Sequence, residues 1–362
     1  MGHESTAPES KPELKLVGAG PEDRRRLLSI IMPARNEEGN LRAAYVQVTA
    51  AMQTLDLDYE VIIVDNDSND RTAELASEFC HSDPRWRYLR FSRNFLVEVS
   101  ISAGLRCARG DAAVILFSDL QDPPAVIPEF VRKWEEGYDV VYGVVRNRQG
   151  EPVWRTWAAR FMYRAINSLA DIEITPNATD FRLLSRKAID AVNQFDERNR
   201  YLRGLTHWIG FKRCAVPYDR RPRLAGKSHA PFLVCANLAV NAITCFSIRP
   251  LQFFSLLGML ALLGTVALTV VYLGSHLFAY TVPGLTTVYL LLLANLAVLL
   301  LGFGTLGEYI GRIYMETKRR PLFLVERTIN LDPRVLHGFR DAGFKADAAG
   351  LPGATAPASL PR

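Results

Sequence analysis

The sequence is 362 residues long, and this length predicts one large domain together with an additional part. Apolar residues make up 49% and charged residues 22%, a balance that excludes a mostly disordered chain and a collagen-like chain. The formal net charge of +5 is too small to indicate nucleic-acid binding, and no nucleic-acid partner is expected.

The two ends of the chain differ in composition from the rest. Residues 1–26 are polar and of mixed charge, without the apolar core of a signal peptide, and residues 341–362 are rich in Ala, Gly and Pro. Both are expected to be flexible tails. The five cysteines are scattered, without a Cys-x-x-Cys pair, which favours free thiols in a reducing compartment.

Short apolar runs alternate with helical stretches in the first third of the chain. Strands are predicted over residues 27–32, 59–64, 86–91 and 112–117, with helices over 37–55, 70–79 and 97–108. This alternation with short connections predicts a parallel sheet covered by helices on both faces. In such sheets ligands bind beyond the carboxyl ends of the strands.

Polar groups follow three of these strands. They are Pro33–Glu37 after the first strand, Asp65–Asp70 after the second and Ser118–Pro124 after the fourth. Each group alone could be a helix cap, but three at the same edge of one sheet predict a binding site. No Gly-x-Gly-x-x-Gly follows the first strand and no phosphate-binding lysine loop is present, so a nucleotide site here would not use a glycine cradle.

A long stretch without charge follows the polar part of the chain. No Asp, Glu, Lys or Arg occurs between Arg249 and Glu308. Two membrane spans are predicted, Phe253–Leu273 and Tyr289–Leu306, each near the roughly 20 residues that a bilayer requires. The alternative is a buried helical hairpin in a soluble protein. Basic residues flank the spans and none lies between them, which predicts that both termini and the polar domain are cytoplasmic.

Residues 153–170 combine apolar and basic side chains at helical spacing. Trp154, Trp157 and Phe161 belong to the apolar set, which continues to Leu169. The basic residues that interleave with this set are Arg155, Arg160 and Arg164. This pattern predicts an amphipathic helix at a membrane surface. The alternative is a helix that packs on the sheet with its arginines in solvent.

Eight motifs in a fixed order carry a resemblance to a known family. They are IIMPARNEE, VIIVDNDSNDRT, FSRNF with SAGLRCARGD, FSDLQDPP, TDFRLLSRKAID, NRYLRGLTHWIGF, RPRLAGKS and GEYIGRIYMETKRRPLF. This order resembles glycosyltransferase family 2, and within it the polyprenyl-phosphate glycosyltransferases, over roughly residues 27–325. The resemblance implies an α/β GT-A fold with a Rossmann-like, mostly parallel sheet, followed by amphipathic interfacial helices and two transmembrane helices.

The resemblance also implies a domain layout. A cytoplasmic catalytic domain would span residues 27–230, an interfacial helix 231–250, the two transmembrane helices 251–307 and a juxtamembrane cytoplasmic segment 308–340.

Residue roles follow from the same resemblance. The nucleotide would be bound by Pro33, Arg35, Glu37, Asp65, Asn66 and Ser118. Mg²⁺ or Mn²⁺ would be held by Asp119 and Gln121. The catalytic group would comprise Asp119, Asp180, Arg203, Arg223 and Ser228. The acceptor phosphate would be contacted by Arg146, Arg160, Arg164, Arg182 and Lys227.

Two motifs depart from the family pattern. Phe117-Ser118-Asp119 stands where the family often has Asp-x-Asp, so the metal would have fewer protein ligands. Asp65-Asn66-Asp67-Ser68 stands for the usual Asp-Asp-Gly-Ser, which leaves the identity of the nucleotide open.

The resemblance implies a membrane enzyme that transfers one sugar, with inversion, from a UDP- or GDP-sugar to a polyprenyl phosphate. By analogy it would form a homo-oligomer. Two alternatives remain. A processive polysaccharide synthase would carry a Gln-x-x-Arg-Trp motif, which this sequence lacks. A non-catalytic membrane-anchored partner subunit would explain the missing first Asp of the metal motif.

Overall fold

The computed structural model describes residues 25–146, 175, 177–195, 197–198, 200–221, 249–277 and 285–331. The strands are β1 Leu27–Ala34, β2 Asp58–Asp65, β3 Trp86–Phe91, β4 Ala112–Ile115, β5 Val140–Val145, β6 Ala178–Ser185, β7 Arg213–Tyr218 and β8 Val325–Ile329. The α-helices are α1 Glu38–Met52, α2 Thr72–Ser82, α3 Val97–Cys107, α4 Ile127–Glu135, α5 Arg186–Asn193, α6 Leu202–Trp208, α7 Arg249–Leu277 and α8 Leu285–Thr317, and a 3-10 turn spans Pro124–Val126.

The strands form one sheet in the order β7-β5-β6-β4-β1-β2-β3-β8. The centre is parallel, with β1 between β2 and β4 and with β3 beside β2. The predicted parallel sheet is therefore confirmed. Its flanks are mixed, because β6 pairs antiparallel with β4 and β5, and β8 pairs antiparallel with β3.

Two apolar layers cover the faces of this sheet. Alternate side chains of a strand point to opposite faces, so Ile30 packs in one layer and Ile31 in the other. Helix α3 approaches β1 closely at Gly104, where an added Cβ would collide with Cγ2 of Ile31. Burial on both faces explains why the central strands are continuous apolar runs.

Two long apolar helices, α7 and α8, lie between β7 and β8 in the chain. The stretches Leu251–Leu268 and Ala294–Thr317 are long and apolar enough to cross a membrane, and neither is buried inside the protein. A buried hairpin in a soluble protein is therefore not what the structure contains. Helix α8 continues to Thr317, eleven residues past the predicted end of the span, before the chain returns to the sheet as β8.

Several predicted segments lie outside the described residues. They are the amphipathic helix at 153–170, most of the interfacial helix at 231–250, and nearly all of both tails.

Candidate active site

A cleft opens at the carboxyl ends of β1, β2 and β4. The predicted nucleotide and metal residues that line it are Pro33, Arg35, Glu37, Asn66, Ser118 and Asp119. Residues to which the sequence interpretation assigned no role complete the lining: Ala34, Asn94, Leu96, Val97, Ser100 and Phe117. The three polar groups predicted to share one edge of the sheet therefore come together around one cleft.

Asp65 lies beneath this cleft, fully buried at the end of β2. Its Oδ1 accepts the backbone N–H of Ser68 at 2.9 Å, and its Oδ2 accepts the hydroxyl of Tyr88 at 2.6 Å. Burial and the Asp65 charge raise the pKa of Tyr88, so the phenol stays protonated and donates a hydrogen bond to Asp65. In this structure Asp65 shapes the loop after β2.

Asn66 fastens the loop before α3 to the end of β2. Its Nδ2 donates to Asn94 at 3.0 Å, and its Oδ1 accepts the N–H of Phe95 at 2.8 Å. Asn94 in turn accepts the N–H of Leu96 at 3.0 Å. Leu96 has φ 75 and ψ 161, a backbone conformation that is strained for any residue with a Cβ. Its side chain is 71% exposed in the cleft wall, so the loop presents an apolar side chain there.

The predicted metal loop follows β4. Ser118 donates its hydroxyl to the carbonyl of Pro33 at 3.0 Å, which ties this loop to the end of β1. Asp119 accepts the N–H of Gln121 at 3.2 Å and still reaches the cleft. A carboxylate and a side-chain amide oxygen are hard ligands that suit Mg²⁺ or Mn²⁺.

The donor set for such a cation is small. Among the described residues no group of three or more His, Cys, Asp or Glu side chains is placed to hold a metal. Magnesium usually keeps several waters and binds through one or two carboxylates together with substrate phosphates. Of the two predicted metal ligands Asp119 lines the cleft, whereas Gln121 is half-buried and does not line it. One carboxylate is compatible with a cation that also binds phosphate oxygens of a substrate.

A buried polar cluster fixes the far end of the same loop. Asp122 is 1% exposed and accepts the hydroxyl of Tyr218, while Nε of Arg220 lies 3.2 Å from its Oδ1. The N–H of Arg221 donates to the carbonyl of Gln121 at 2.9 Å. The sequence interpretation missed this cluster, which joins the metal loop to the end of β7.

Asp180 and Arg203 form a bidentate ion pair where β6 faces α6. Nε of Arg203 donates to Oδ1 of Asp180 at 2.7 Å and Nη2 donates to Oδ2 at 2.6 Å. Nη2 of the buried Arg182 lies 3.8 Å from Oδ1 and donates to the carbonyl of Thr179 at 2.8 Å. Burial alone would raise the pKa of Asp180, but Arg203 and Arg182 outweigh it and hold the pKa below its usual value.

Glu98 lies in the first turn of α3 and faces the same pair. Its Oε2 accepts the N–H of Leu202 at 3.4 Å, one residue before Arg203. Withdrawal from water, followed by the negative charge of Asp180, raises the pKa of Glu98 to about 7. Two neighbouring carboxyl groups thus differ in pKa, since Asp180 is charged and Glu98 binds a proton near neutral pH.

The remaining predicted residues are placed as follows. Arg146 is exposed after β5, and its N–H donates to the carbonyl of Tyr218 at 3.0 Å. Arg182 is 1% exposed, and its Nη1 donates to the hydroxyl of Thr206 on α6. Outside the described residues lie Arg160, Arg164, Arg223, Lys227 and Ser228.

Comparison with known proteins identifies the family of the chain. Residues 29–192 match the family described as Glycosyl transferase family 2. An uncharacterized glycosyltransferase of Bacillus subtilis is 39% identical over 85% of this chain and 96% of its own length. One from Synechocystis is 37% identical over 82% and 94%. A prophage bactoprenol glucosyl transferase homolog of Escherichia coli is 32% identical over 83% and 98%.

The protein is a glycosyltransferase, as the cleft at the carboxyl edge of the sheet and these relatives together indicate. It belongs to glycosyl transferase family 2.

Proposed function

We propose that this enzyme transfers one sugar, with inversion, from a UDP- or GDP-sugar to a polyprenyl phosphate at the cytoplasmic face of a membrane. The observation that carries the proposal is the joining of two apolar helices to a sheet that bears a polar cleft, because β8 follows α8 and pairs with β3. A lipid acceptor and a water-soluble donor can meet at such a junction. Relatives named bactoprenol glucosyl transferases support a lipid acceptor.

The donor would occupy the cleft between the loops after β1, β2 and β4. Arg35 is exposed at its wall, and Glu37 is held in place by a 2.6 Å hydrogen bond from Asn40. Asp119 and Gln121 would hold Mg²⁺ or Mn²⁺, which when bound would neutralise charge on the departing diphosphate.

The acceptor would be oriented by the basic groups around Asp180. Arg203 presents its guanidinium at a fixed angle because Asp180 binds two of its nitrogens. A phosphate monoester has a second pKa near 6, so the acceptor is largely a dianion at pH 7 and does not require a strong base. Asp180, held in its charged form by two arginines, suits an orienting role. Attack on the anomeric carbon from the side opposite the leaving diphosphate gives inversion.

The orientation in the membrane rests on the distribution of basic residues. Arg249 is the first residue of the first apolar helix, and Arg312, Lys318, Arg319 and Arg320 occur at the end of the second or just after it. The positive-inside rule supports a cytoplasmic location for both ends of the hairpin and for the sheet that carries the cleft.

The test is a transfer assay with the full chain in membranes. Radiolabelled UDP- and GDP-sugars would be offered with undecaprenyl phosphate, in Mg²⁺, in Mn²⁺ and in EDTA. Label that enters the organic phase from one donor, and that does so only with a divalent cation, is the expected result. The absence of lipid label with every donor, in protein that still binds nucleotide, would favour the non-catalytic partner.

A further inference from the structure

The chain that leaves the second apolar helix completes the sheet beside the nucleotide cleft. Helix α8 ends at Thr317 and β8 begins at Val325, so only a short connection separates them. Beyond the strand pairing, the N–H of Ser92 donates to the carbonyl of Leu324 at 3.0 Å. Asn330 donates to the carbonyls of Cys80 and Trp86 at 2.7 and 3.0 Å. Strand β8 is thus fastened to the catalytic sheet at both of its ends.

A second contact fixes the end of the helix itself. The N–H of Arg198 donates to Oε1 of Glu316 at 2.7 Å, and Nη1 of Arg198 donates to the carbonyl of Arg320. The apolar helices therefore have a defined position relative to the sheet, set by contacts on either side of the connection.

Arg90 links β8 to the loop after β2. Its Nε donates to Oε2 of Glu326 on β8 at 2.9 Å, and its Nη2 donates to the carbonyl of Ser68 at 3.1 Å. Its Nη1 lies 3.5 Å from Oδ2 of the buried Asp65. The side chain is 22% exposed, so these contacts are partly withdrawn from water. The rigid planar fork of arginine can make all three contacts at once, which the single ammonium of lysine cannot.

The loop that Arg90 holds supports the wall of the cleft. The hydroxyl of Ser68 accepts the N–H of Asn36 at 3.0 Å, and Asn36 accepts the N–H of Asn69 at 2.9 Å. Asn36 has φ 55, a left-handed conformation that needs such support. On either side of it stand Arg35 and Glu37, which line the cleft. A continuous series of hydrogen bonds therefore runs from Glu326 through Arg90 and Ser68 to Asn36.

We propose that Arg90 is a positioning residue that couples the juxtamembrane strand to the nucleotide-binding wall, with Glu326 setting the direction of its guanidinium. Weakening the contact on β8 then lowers the affinity for the nucleotide sugar, although no residue of β8 lines the cleft. The identity of the ligand rests on the proposed function. The coupling between β8 and residues 35–37 does not.

The binding experiment uses the full chain in lipid nanodiscs, with UDP-glucose and GDP-mannose as probes in the presence of Mg²⁺. Glu326→Gln and Arg90→Lys are each expected to raise the Kd of the bound nucleotide sugar about three- to tenfold, with little change in kcat. The double variant should resemble the single variants, since both remove one connection. The matched control is Glu78→Gln, which breaks an exposed 2.8 Å ion pair with Arg42 between α1 and α2.

Amide hydrogen exchange gives a readout that requires no ligand. In Glu326→Gln the amides of Asn36 and Asn69 should exchange several-fold faster, and in Glu78→Gln they should not. Unchanged exchange at these amides would overturn the coupling, whatever the binding data show. The coupling would also be overturned if Glu326→Gln matched the wild type in both nucleotide binding and amide exchange. Failure of the wild type to bind either nucleotide would instead count against the proposed donor, while the exchange experiment still decides the coupling.

Discussion

Arg203 binds Asp180 through two parallel hydrogen bonds, Nε to Oδ1 at 2.7 Å and Nη2 to Oδ2 at 2.6 Å. Both carboxylate oxygens are therefore engaged, and a role for Asp180 as proton acceptor would require it to give up an arginine. The neighbouring Arg182 adds a second positive charge. The pair is better suited to presenting a guanidinium to an anion than to removing a proton.

Replacement of either partner should therefore damage turnover more than binding of the donor. Arg203→Lys keeps the charge but loses the bidentate geometry, and kcat should fall about 100-fold, as when a preorganised donor is lost. The kcat of Asp180→Asn should fall by a similar factor. In the double variant the loss of kcat should be much smaller than the product of the two single losses, because the two residues act as a unit. Steady-state transfer kinetics for the three variants measure this. Arg132→Lys, which alters an exposed pair with Glu129, is the control. Additive losses would contradict the paired role.

Asp119 is the carboxylate that the cleft offers to a cation. Asp119→Asn keeps the size of the side chain but removes its charge, so transfer should fall at least about 100-fold and the Mg²⁺ concentration for half-maximal activity should rise. The thermal unfolding midpoint should change little, because the backbone contact to Gln121 can be kept by an amide oxygen. Metal titrations of transfer and unfolding scans distinguish these effects. Normal turnover in this variant would refute the metal assignment.

Glu98 should make the enzyme sensitive to pH near neutrality. Its pKa rises from 4.5 to about 7 in the folded protein, so the folded state holds the proton more tightly than the unfolded chain. The stabilisation from protonated Glu98 is therefore full below about pH 4.5 and is lost as the pH rises through about 7. Glu98→Gln cannot ionise and should keep its stability over this interval. Denaturant unfolding of both proteins from pH 5 to 8 measures the difference.

The same titration has a consequence for the acceptor. Above pH 7 ionised Glu98 adds a negative charge beside Asp180, which opposes a phosphate dianion near Arg203 and Arg182. The KM for polyprenyl phosphate should rise with pH in the wild type and remain flatter in Glu98→Gln. Parallel pH profiles for the two proteins would exclude this role.

The fold could be predicted from the sequence where local patterns decide it. Strands β1, β2 and β4 are mainly apolar and buried on both faces, and the chain between Arg249 and Glu308 lacks charge, so each of these elements has a pattern of its own. Strand β8 has no such pattern, because Val325–Ile329 is short, polar and half exposed. Its place beside β3 depends on contacts between segments more than 200 residues apart, such as Arg90 with Glu326.

The candidate site shows a similar division. The sequence located residues at the ends of strands but could not give the direction of each side chain. Asp65 and Asn66 are adjacent, yet Asp65 is buried under the loop while Asn66 lines the cleft. Glu98 lies within a predicted helix, and nothing in the local sequence marks it as part of the site. Its hydrogen bond to α6 joins residues that are 104 positions apart in the chain. Spacing along the chain carries no signal for such a contact.

Glu60 should matter for stability and not for transfer, because it lies at the end of the sheet opposite the cleft. It is 1% exposed, accepts the hydroxyl of Ser29 at 2.5 Å and the N–H of Arg109 at 2.8 Å, and lies 2.6 Å from Nη1 of Arg87. Glu60→Ala leaves the buried Arg87 without this partner, so the free energy of unfolding should fall by about 3–5 kcal/mol. Denaturant titration measures the loss.

The transfer rate per folded molecule of Glu60→Ala should stay near that of the wild type at low temperature, since no group of the cleft contacts this ion pair. Glu74→Ala, which removes an exposed partner of Arg71, is the matched control and should lower the free energy of unfolding far less, because water screens this surface ion pair. Equal stability losses in the two variants would show that the buried pair contributes no more than a surface one. A loss of transfer in fully folded Glu60→Ala would instead connect the two ends of the sheet.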